Sequence, residues 1–173
     1  SAQDASLTGN RTLTEQSPEV RDTCALIRFL KARDFHVEKA FSLYVQRLEW
    51  LDRVKPHLIT AQEIESELRS GLLFFYGRDF FGRPIVYVRT CNHFVLSDDR
   101  KIESFFKYFV YMCELALVNA PPPPYNQFVI VSDQSFLSRK NLDVKGYKSL
   151  FCLGNYYPEV IHCIHILKTP MVF

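Results

Sequence analysis

The chain has 173 residues, 47% of them hydrophobic and 23% charged, and a net charge of +2. That length supports one domain with its own core, and so small a charge gives no argument for nucleic-acid binding. No apolar run reaches the ~18 residues of a membrane span, and no secretory signal pattern opens the chain.

The five cysteines, Cys24, Cys91, Cys113, Cys152 and Cys163, are scattered with no Cys-x-x-Cys. This argues against a disulfide framework or zinc ribbon and for reduced thiols in the cytoplasm. Aromatic residues make up 14%, with 15 Phe and 9 Tyr, enough to fill a large core or line a cavity.

Residues 1–17 are polar and small, without a period, and read as a disordered leader. A helical unit is expected over residues 18–70. Ser17-Pro18-Glu19 spells an N-cap, a first-turn proline and an acid at the positive helix end. Val20, Cys24, Ile27 and Leu30 then recur at helical spacing, to about Arg33. After a break at Asp34–His36, Val37, Ala40, Phe41, Tyr44, Leu48 and Leu51 repeat at three and four, which predicts a helix burying that stripe. Thr60-Ala61-Gln62-Glu63 spells a capping box before a short helix with Ile64 and Leu68, ending at Ser70-Gly71.

The period switches at Gly71. Leu72–Tyr76 and Ile85–Val88 are apolar, aromatic and β-branched, and Gly77, Asp79, Gly82 and Pro84 lie around the turn between them, which predicts a β-hairpin. Ser97 is placed to cap a long helix whose apolar face carries Ile102, Phe105, Phe106, Phe109, Met112, Cys113 and Ala116. The prolines Pro121–Pro124 end it as a stiff extended connector. Gln127–Val131 reads as a buried strand, Asp143–Asn155 as a helix weakened by Gly146 and Gly154, and Ile161–Leu167 as a last strand. Strand, helix, strand, helix, strand predicts an α/β fold over residues 71–173, a mixed, mainly parallel sheet flanked by helices. In such sheets ligands sit beyond the carboxyl ends of the strands.

Three segments in order resemble a known family. Leu26–Ala40, LIRFLKARDFHVEKA, is similar to the N-terminal helical signature of the Sec14-like, or CRAL-TRIO, lipid-binding family. Asp79–Pro84, DFFGRP, is similar to its D-x-x-G-R-P turn. Tyr157–Phe173, YPEVIHCIHILKTPMVF, is similar to its Y-P-E…P-x-x-F strand.

The resemblance implies an apolar pocket for one lipid or phospholipid, with the sheet as floor and helices as walls. It implies a lipid ligand rather than a cofactor, no metal, and a cytoplasmic protein in peripheral contact with membranes. The residues assigned to the pocket are Val129 and Val131, Ile164 and Ile166, Phe105 and Phe109 on the long helix, and Phe136 and Leu137 beyond the central strand. Strand alternation leaves open whether Val129 and Val131 or Phe128 and Ile130 face the ligand, and likewise Ile164 and Ile166 against Cys163 and His165. Core packing competes for each of these side chains. The family often has Gly where this chain has Phe136, so the ring is expected to reshape the pocket.

Arg28, Lys31 and Arg33 match basic positions that meet lipid phosphate in phosphoinositide-binding members, and a forked guanidinium suits phosphate. Asp34 stands where Lys is common, and a solvated helix face competes as a reading. His36 replaces an Asp, losing an N-cap worth about 1 kcal/mol. Lys168-Thr169 replaces the usual Asn-Ala.

No dinucleotide, P-loop, nucleophile-elbow or phosphatase spacing is present. His162 and His165 on one strand face opposite sides and cannot share a metal. Lipid binding or transfer without catalysis is therefore expected. The alternative is a non-catalytic membrane-targeting or interaction module of a larger regulator, with a protein partner. The family's sequence continues past Pro170–Phe173 with helices that gate the pocket. The chain is accordingly expected to be C-terminally incomplete, with Phe105, Phe106 and Phe109 short of cover, a poor lipid carrier alone and prone to self-association.

Overall fold

The hairpin forms where local chemistry puts it. Strands β1 (Leu73–Arg78) and β2 (Pro84–Arg89) pair antiparallel, Leu73 opposite Val88 and Phe75 opposite Val86, with an irregularity between Phe75 and Arg78. Asp79 builds the turn, its Oδ1 accepting from the N–H groups of Phe81 at 2.9 Å and Arg83 at 2.8 Å. Gly82 takes φ +80°, a conformation that strains residues with a side chain. The strand before the turn runs further than expected, through Gly77 and Arg78.

The computed structural model describes residues 26–122 and 126–169. The expected leader, the start of the first helix, part of the proline run and residues 170–173 lie outside them. Residues 26–31 are helical, and a turn over residues 32–35 follows. Helices α1 (Val37–Val54) and α2 (Glu65–Arg69) complete the helical preface to the sheet. His36 caps α1 without a side-chain bond, in line with the missing Asp.

β3 (Phe128–Asp133) and β4 (Ile161–Leu167) add to β2 in parallel, giving the order β1-β2-β3-β4. Helix α3 (Asp99–Val118) carries the first crossover, and α4 (Val144–Leu150) with α5 (Leu153–Tyr156) carries the second. The cap of α3 is Asp98 rather than Ser97: its Oδ1 accepts from Lys101 N–H at 3.0 Å. The single helix expected over Asp143–Asn155 is two, parted by a turn at Phe151-Cys152. Gly146 does more than weaken α4: a Cβ there would collide with the Asp143 carboxylate that caps it.

One apolar core joins the helical preface to the sheet. Trp50, Ile59 and Ile64 share it with Leu73, Val86 and Phe128 of the strands and Phe105, Tyr108 and Met112 of α3. Tyr156-Tyr157 is the docking point for α1. Trp50 stacks on Tyr156 at 4.7 Å and meets Tyr157 edge-on at 5.6 Å. Arg47 donates to the Tyr156 carbonyl and lies 4.6 Å above the Tyr157 ring. Tyr157 donates its hydroxyl to Glu114 of α3 at 2.6 Å.

The stripe expected to bury α1 is corrected in part: Ala40 is buried and Tyr44 and Leu51 are half-buried against the core, but Val37, Phe41 and Leu48 are exposed, and Leu43 and Trp50 face inward in their place. Leu43 and Trp50 each follow Phe41 and Leu48 by two residues, about 200° round the helix, so α1 carries apolar residues on opposed faces. Of the three rings expected to be short of cover, Phe105 is fully buried, a correction, while Phe106 and Phe109 are half-buried against the core.

Candidate functional site

Directly opposed residues in a sheet point to the same face, so the register sorts the strands into two rows. Leu73, Phe75, Val86, Val88 and Ile130 belong to the side packed by α3. Tyr108 of α3 is fully buried there, its hydroxyl donating to the Leu73 carbonyl at 2.8 Å and accepting from the Leu73 N–H at 2.9 Å. The other row is Phe74, Tyr87, Val129, Val131, Asp133, Cys163 and His165. Only Val129 of that row is fully buried, and the row contributes nothing to the main core.

This second face is apolar along its length and polar at one end. Phe74 stacks on Tyr87 at 5.1 Å, and Tyr76 lies 6.1 Å from the same ring. Val131 sits beside Tyr87 on one hand and His165 on the other. Cys163 and His165, neighbours on the β4 row, bring Sγ and Nε2 to 3.4 Å.

At the carboxyl ends of the parallel strands the groups become polar. Asp133 closes β3, and Tyr87 donates its hydroxyl to Asp133 Oδ2 at 2.8 Å. Ser135, whose N–H donates to Asp133 Oδ1 at 2.8 Å, and the Tyr87 hydroxyl hold the Asp133 carboxyl down at about 2. The same bond to Asp133 pushes the Tyr87 phenol up. Thr90 Oγ1 donates to the Asp133 carbonyl at 2.8 Å, tying the ends of β2 and β3, and Arg89 lies 5.5 Å from the Phe74 ring. The end of this face is thus a fixed carboxylate and phenol with a cation nearby.

The residues assigned from sequence do not all meet. Val129 and Val131 share the second face with Cys163 and His165. Ile164 and Ile166 pair with Ile130 and Ser132, on the side where α3 packs, and are 55% and 56% exposed. A pocket lined by one pair on the sheet excludes the other. Phe105 and Phe109, 4.8 Å apart, also lie on the α3 side, where Phe105 packs against His93 at 4.7 Å. Phe136 takes φ +63° and is 88% exposed, so its ring stands clear of the other described residues. Leu137 is half-buried in the same loop.

Arg28, Lys31 and Arg33 lie elsewhere. Arg28 donates to Asn126 Oδ1 at 2.6 Å, two residues before β3 begins. That is the opposite end of the strand from Asp133, a separation of about 20 Å of extended chain. Arg33 donates to its neighbour Ala32's carbonyl at 2.8 Å and helps line an open polar cavity of 440 Å³ with Glu38, Lys39, Ser42, Gln46 and Asn155. Lys31 is exposed. Asp34 takes φ +50°, which Asp tolerates better than most residues.

Sequence reasoning missed Phe74, Tyr76, Tyr87 and Arg89. The signal was alternation within the hairpin, but its phase against β3 is set only by the parallel register. It also missed a buried pair behind α3. His93 Nε2 and Asp143 Oδ2 lie 3.1 Å apart, and the carboxylate accepts from Leu96 N–H at 3.2 Å and Gly146 N–H at 3.0 Å. Burial pushes the His93 imidazole down, against the pull of Asp143. Burial raises the Asp143 carboxyl, but the Gly146 and Leu96 N–H groups and His93 outweigh it and leave it low. Among the described residues no helix is long and apolar enough to cross a membrane, and no three His, Cys, Asp or Glu side chains are placed to hold a metal.

Comparison with known proteins gives one consistent family. Residues 68–173 match the CRAL/TRIO domain and residues 10–46 its N-terminal domain. A CRAL-TRIO domain-containing protein of Schizosaccharomyces pombe is 29% identical over 86% of this chain and 35% of its own length. The phosphatidylinositol transfer protein CSR1 of Eremothecium gossypii is 31% identical over 86% of this chain and 36% of its own. Patellin-6 of Arabidopsis thaliana is 23% identical over 86% of this chain and 39% of its own. The chain therefore spans little more than a third of these relatives. The crystal structure of Sfh5 superposes with a TM-score of 0.72 at 16% identity, over 94% of this chain and 60% of that one, which shows a shared fold. With the CRAL/TRIO domain matching more than half of its residues, this chain belongs to the CRAL/TRIO domain family.

Proposed function

We propose that this chain binds one lipid against the second face of its sheet, without changing it chemically. The observation that carries the reading is that face itself: in a CRAL/TRIO domain, the row Phe74, Tyr87, Val129 and Val131 stands outside the main core and ends in the fixed Tyr87–Asp133 pair. Apolar burial scales with chain length, at about 0.8 kcal/mol per methylene, so one acyl chain along the strands suffices for retention. The polar end offers a carboxylate acceptor, a phenol and the Arg89 cation, a set that suits a hydroxyl-bearing or zwitterionic headgroup better than a bare phosphate. The Eremothecium relative's name makes phosphatidylinositol the first lipid to offer.

The test is native mass spectrometry of the purified protein, followed by uptake of labelled phosphatidylinositol from vesicles. A bound lipid, or one-to-one uptake, is expected. Val131→Asp abolishes uptake on this reading, and Ile166→Asp, on the other side of the sheet, leaves it in place. A protein that carries no lipid and takes up none ends the reading; loss at Ile166 with retention at Val131 moves the pocket to the α3 side.

A further inference from the structure

The β1–β2 turn presents two aromatic rings to solvent that the lipid-binding face does not use. Phe80 is 98% exposed and Phe81 55%, their rings set edge-to-face at 5.9 Å. An exposed pair of this size at a loop tip contributes nothing to the core and raises the risk of association.

The tip is held rigidly. Beyond the two bonds to Asp79 Oδ1, the Asp79 N–H donates to the Arg83 carbonyl at 2.9 Å and the Gly82 N–H to the Asp79 carbonyl at 3.0 Å. Arg83, buried, donates to Asp79 Oδ2 at 3.2 Å and lies 4.9 Å from the Phe81 ring. Arg78 donates to the Gly82 carbonyl at 2.7 Å and to the Asn119 carbonyl at 2.6 Å, clamping the turn to the end of α3. So little of the ordering cost of the turn remains to be met when the rings engage a partner.

We propose that this turn is a membrane-surface anchor, seating Phe80 and Phe81 in the interface of an anionic phospholipid bilayer. The tip is convex, and a bilayer interface accepts a convex apolar wedge without a complementary groove. Charge agrees with the choice. Arg78 and Arg83 outnumber Asp79 around the rings, and Arg78 is exposed at their flank, where its head can remain at the level of the lipid phosphates. The inference shares with the lipid-binding reading only the premise that the chain meets membranes, and it concerns the opposite end of the strands from Asp133.

The experiment is co-sedimentation of the full chain with phosphatidylcholine vesicles containing phosphatidylserine. Phe80→Ser with Phe81→Ser is expected to weaken binding about tenfold or more, with the thermal unfolding midpoint little changed because the rings lie outside the core. Independently, Phe80→Trp is expected to show blue-shifted emission on vesicles and quenching by brominated acyl chains. Unchanged sedimentation of the double variant, or unquenched emission from a vesicle-bound Phe80→Trp protein, overturns the anchor, as does rescue of the lost binding by a protein partner in place of lipid. Uptake of labelled lipid is read separately: no uptake with intact, Phe80-dependent sedimentation ends the lipid-pocket reading and upholds the anchor.

Discussion

The two faces of the sheet are made from the same strands by simple alternation, yet the chain invests in them differently. On one side α3 covers Leu73, Val86 and Phe128, and two buried polar side chains there have named partners: Tyr108 with Leu73, and Asp143 with His93, Leu96 and Gly146. On the other, Phe74, Tyr87 and Val131 remain partly open, and the polar groups gather at the strand ends. The covered side carries stability. The open side leaves apolar surface outside the main core, the surface that the proposed lipid would cover.

The comparison predicts that deletions behind α3 hurt most. Asp143→Ala leaves His93 and two N–H groups buried without their acceptor and is expected to cost about 3–5 kcal/mol, measured by urea unfolding. The pair also gives a pH signature. The folded pKa of His93 lies below its ordinary value, so the unfolded chain binds the proton first as pH falls. The stability tied to His93 is full above about pH 6.5 and is lost below it, down to the folded pKa. Asp143, also shifted down, adds a second loss below about pH 4. His93→Gln is expected to flatten the slope between about pH 7 and 5; an unchanged slope would place that titration elsewhere.

Next in size is Tyr108→Phe. β1 is an edge strand, and the Tyr108 hydroxyl satisfies both backbone groups of Leu73. Its removal orphans a buried donor and a buried acceptor, an expected loss of about 2 kcal/mol. Amide exchange at Leu73 should speed up along with it.

How much of this was legible depends on how local the signal is. The hairpin and β4 were readable because turn residues and β-branched runs lie side by side in the sequence. The face of each strand was not, because it depends on which residue of β2 meets which of β3, a pairing set across more than 40 positions of chain. Likewise α1 has two apolar stripes of equal period, and only the docking of Trp50 on Tyr156-Tyr157 decides which is buried. Two departures from the family pattern gain a backbone reason. Phe136 stands at φ +63° where Gly is frequent, and Lys168 at φ +53° where Asn is usual; Gly and Asn are the residues that best tolerate that region.

This yields a prediction of opposite sign on the open side. Phe136 is exposed and left-handed, a conformation costing a residue with a side chain about 1–2 kcal/mol. Phe136→Gly relieves that strain and gives back part of it as unfolded-chain entropy. A net gain of about 0.5–1 kcal/mol is expected, read as a higher urea midpoint at unchanged slope. A loss would mean that the ring packs on something in solution, and lipid is the first candidate.

The smallest stability change sharpens the comparison most, because it repeats the Tyr→Phe deletion on the other face. Tyr87→Phe removes the hydroxyl that donates to Asp133 Oδ2. Both groups are only half-buried, so water replaces much of the lost bond, and the expected change is small and no larger than the part of the Asp133 shift that this hydroxyl contributes. What should move is the carboxyl. Asp133 is held at about 2 by Ser135 and by this hydroxyl, so its titration, followed by carbon-detected NMR, is expected to rise toward the ordinary value near 4 while remaining below it, because Ser135 still donates. The folded pKa being depressed, the stability tied to Asp133 is present above about pH 4 and is lost as pH falls toward 2; in Tyr87→Phe that window narrows from its acid end. If Tyr87→Phe costs as much as Tyr108→Phe, the second face is part of the core and not a site. If stability holds while lipid uptake falls, the same hydroxyl that orders Asp133 also meets the lipid's polar end.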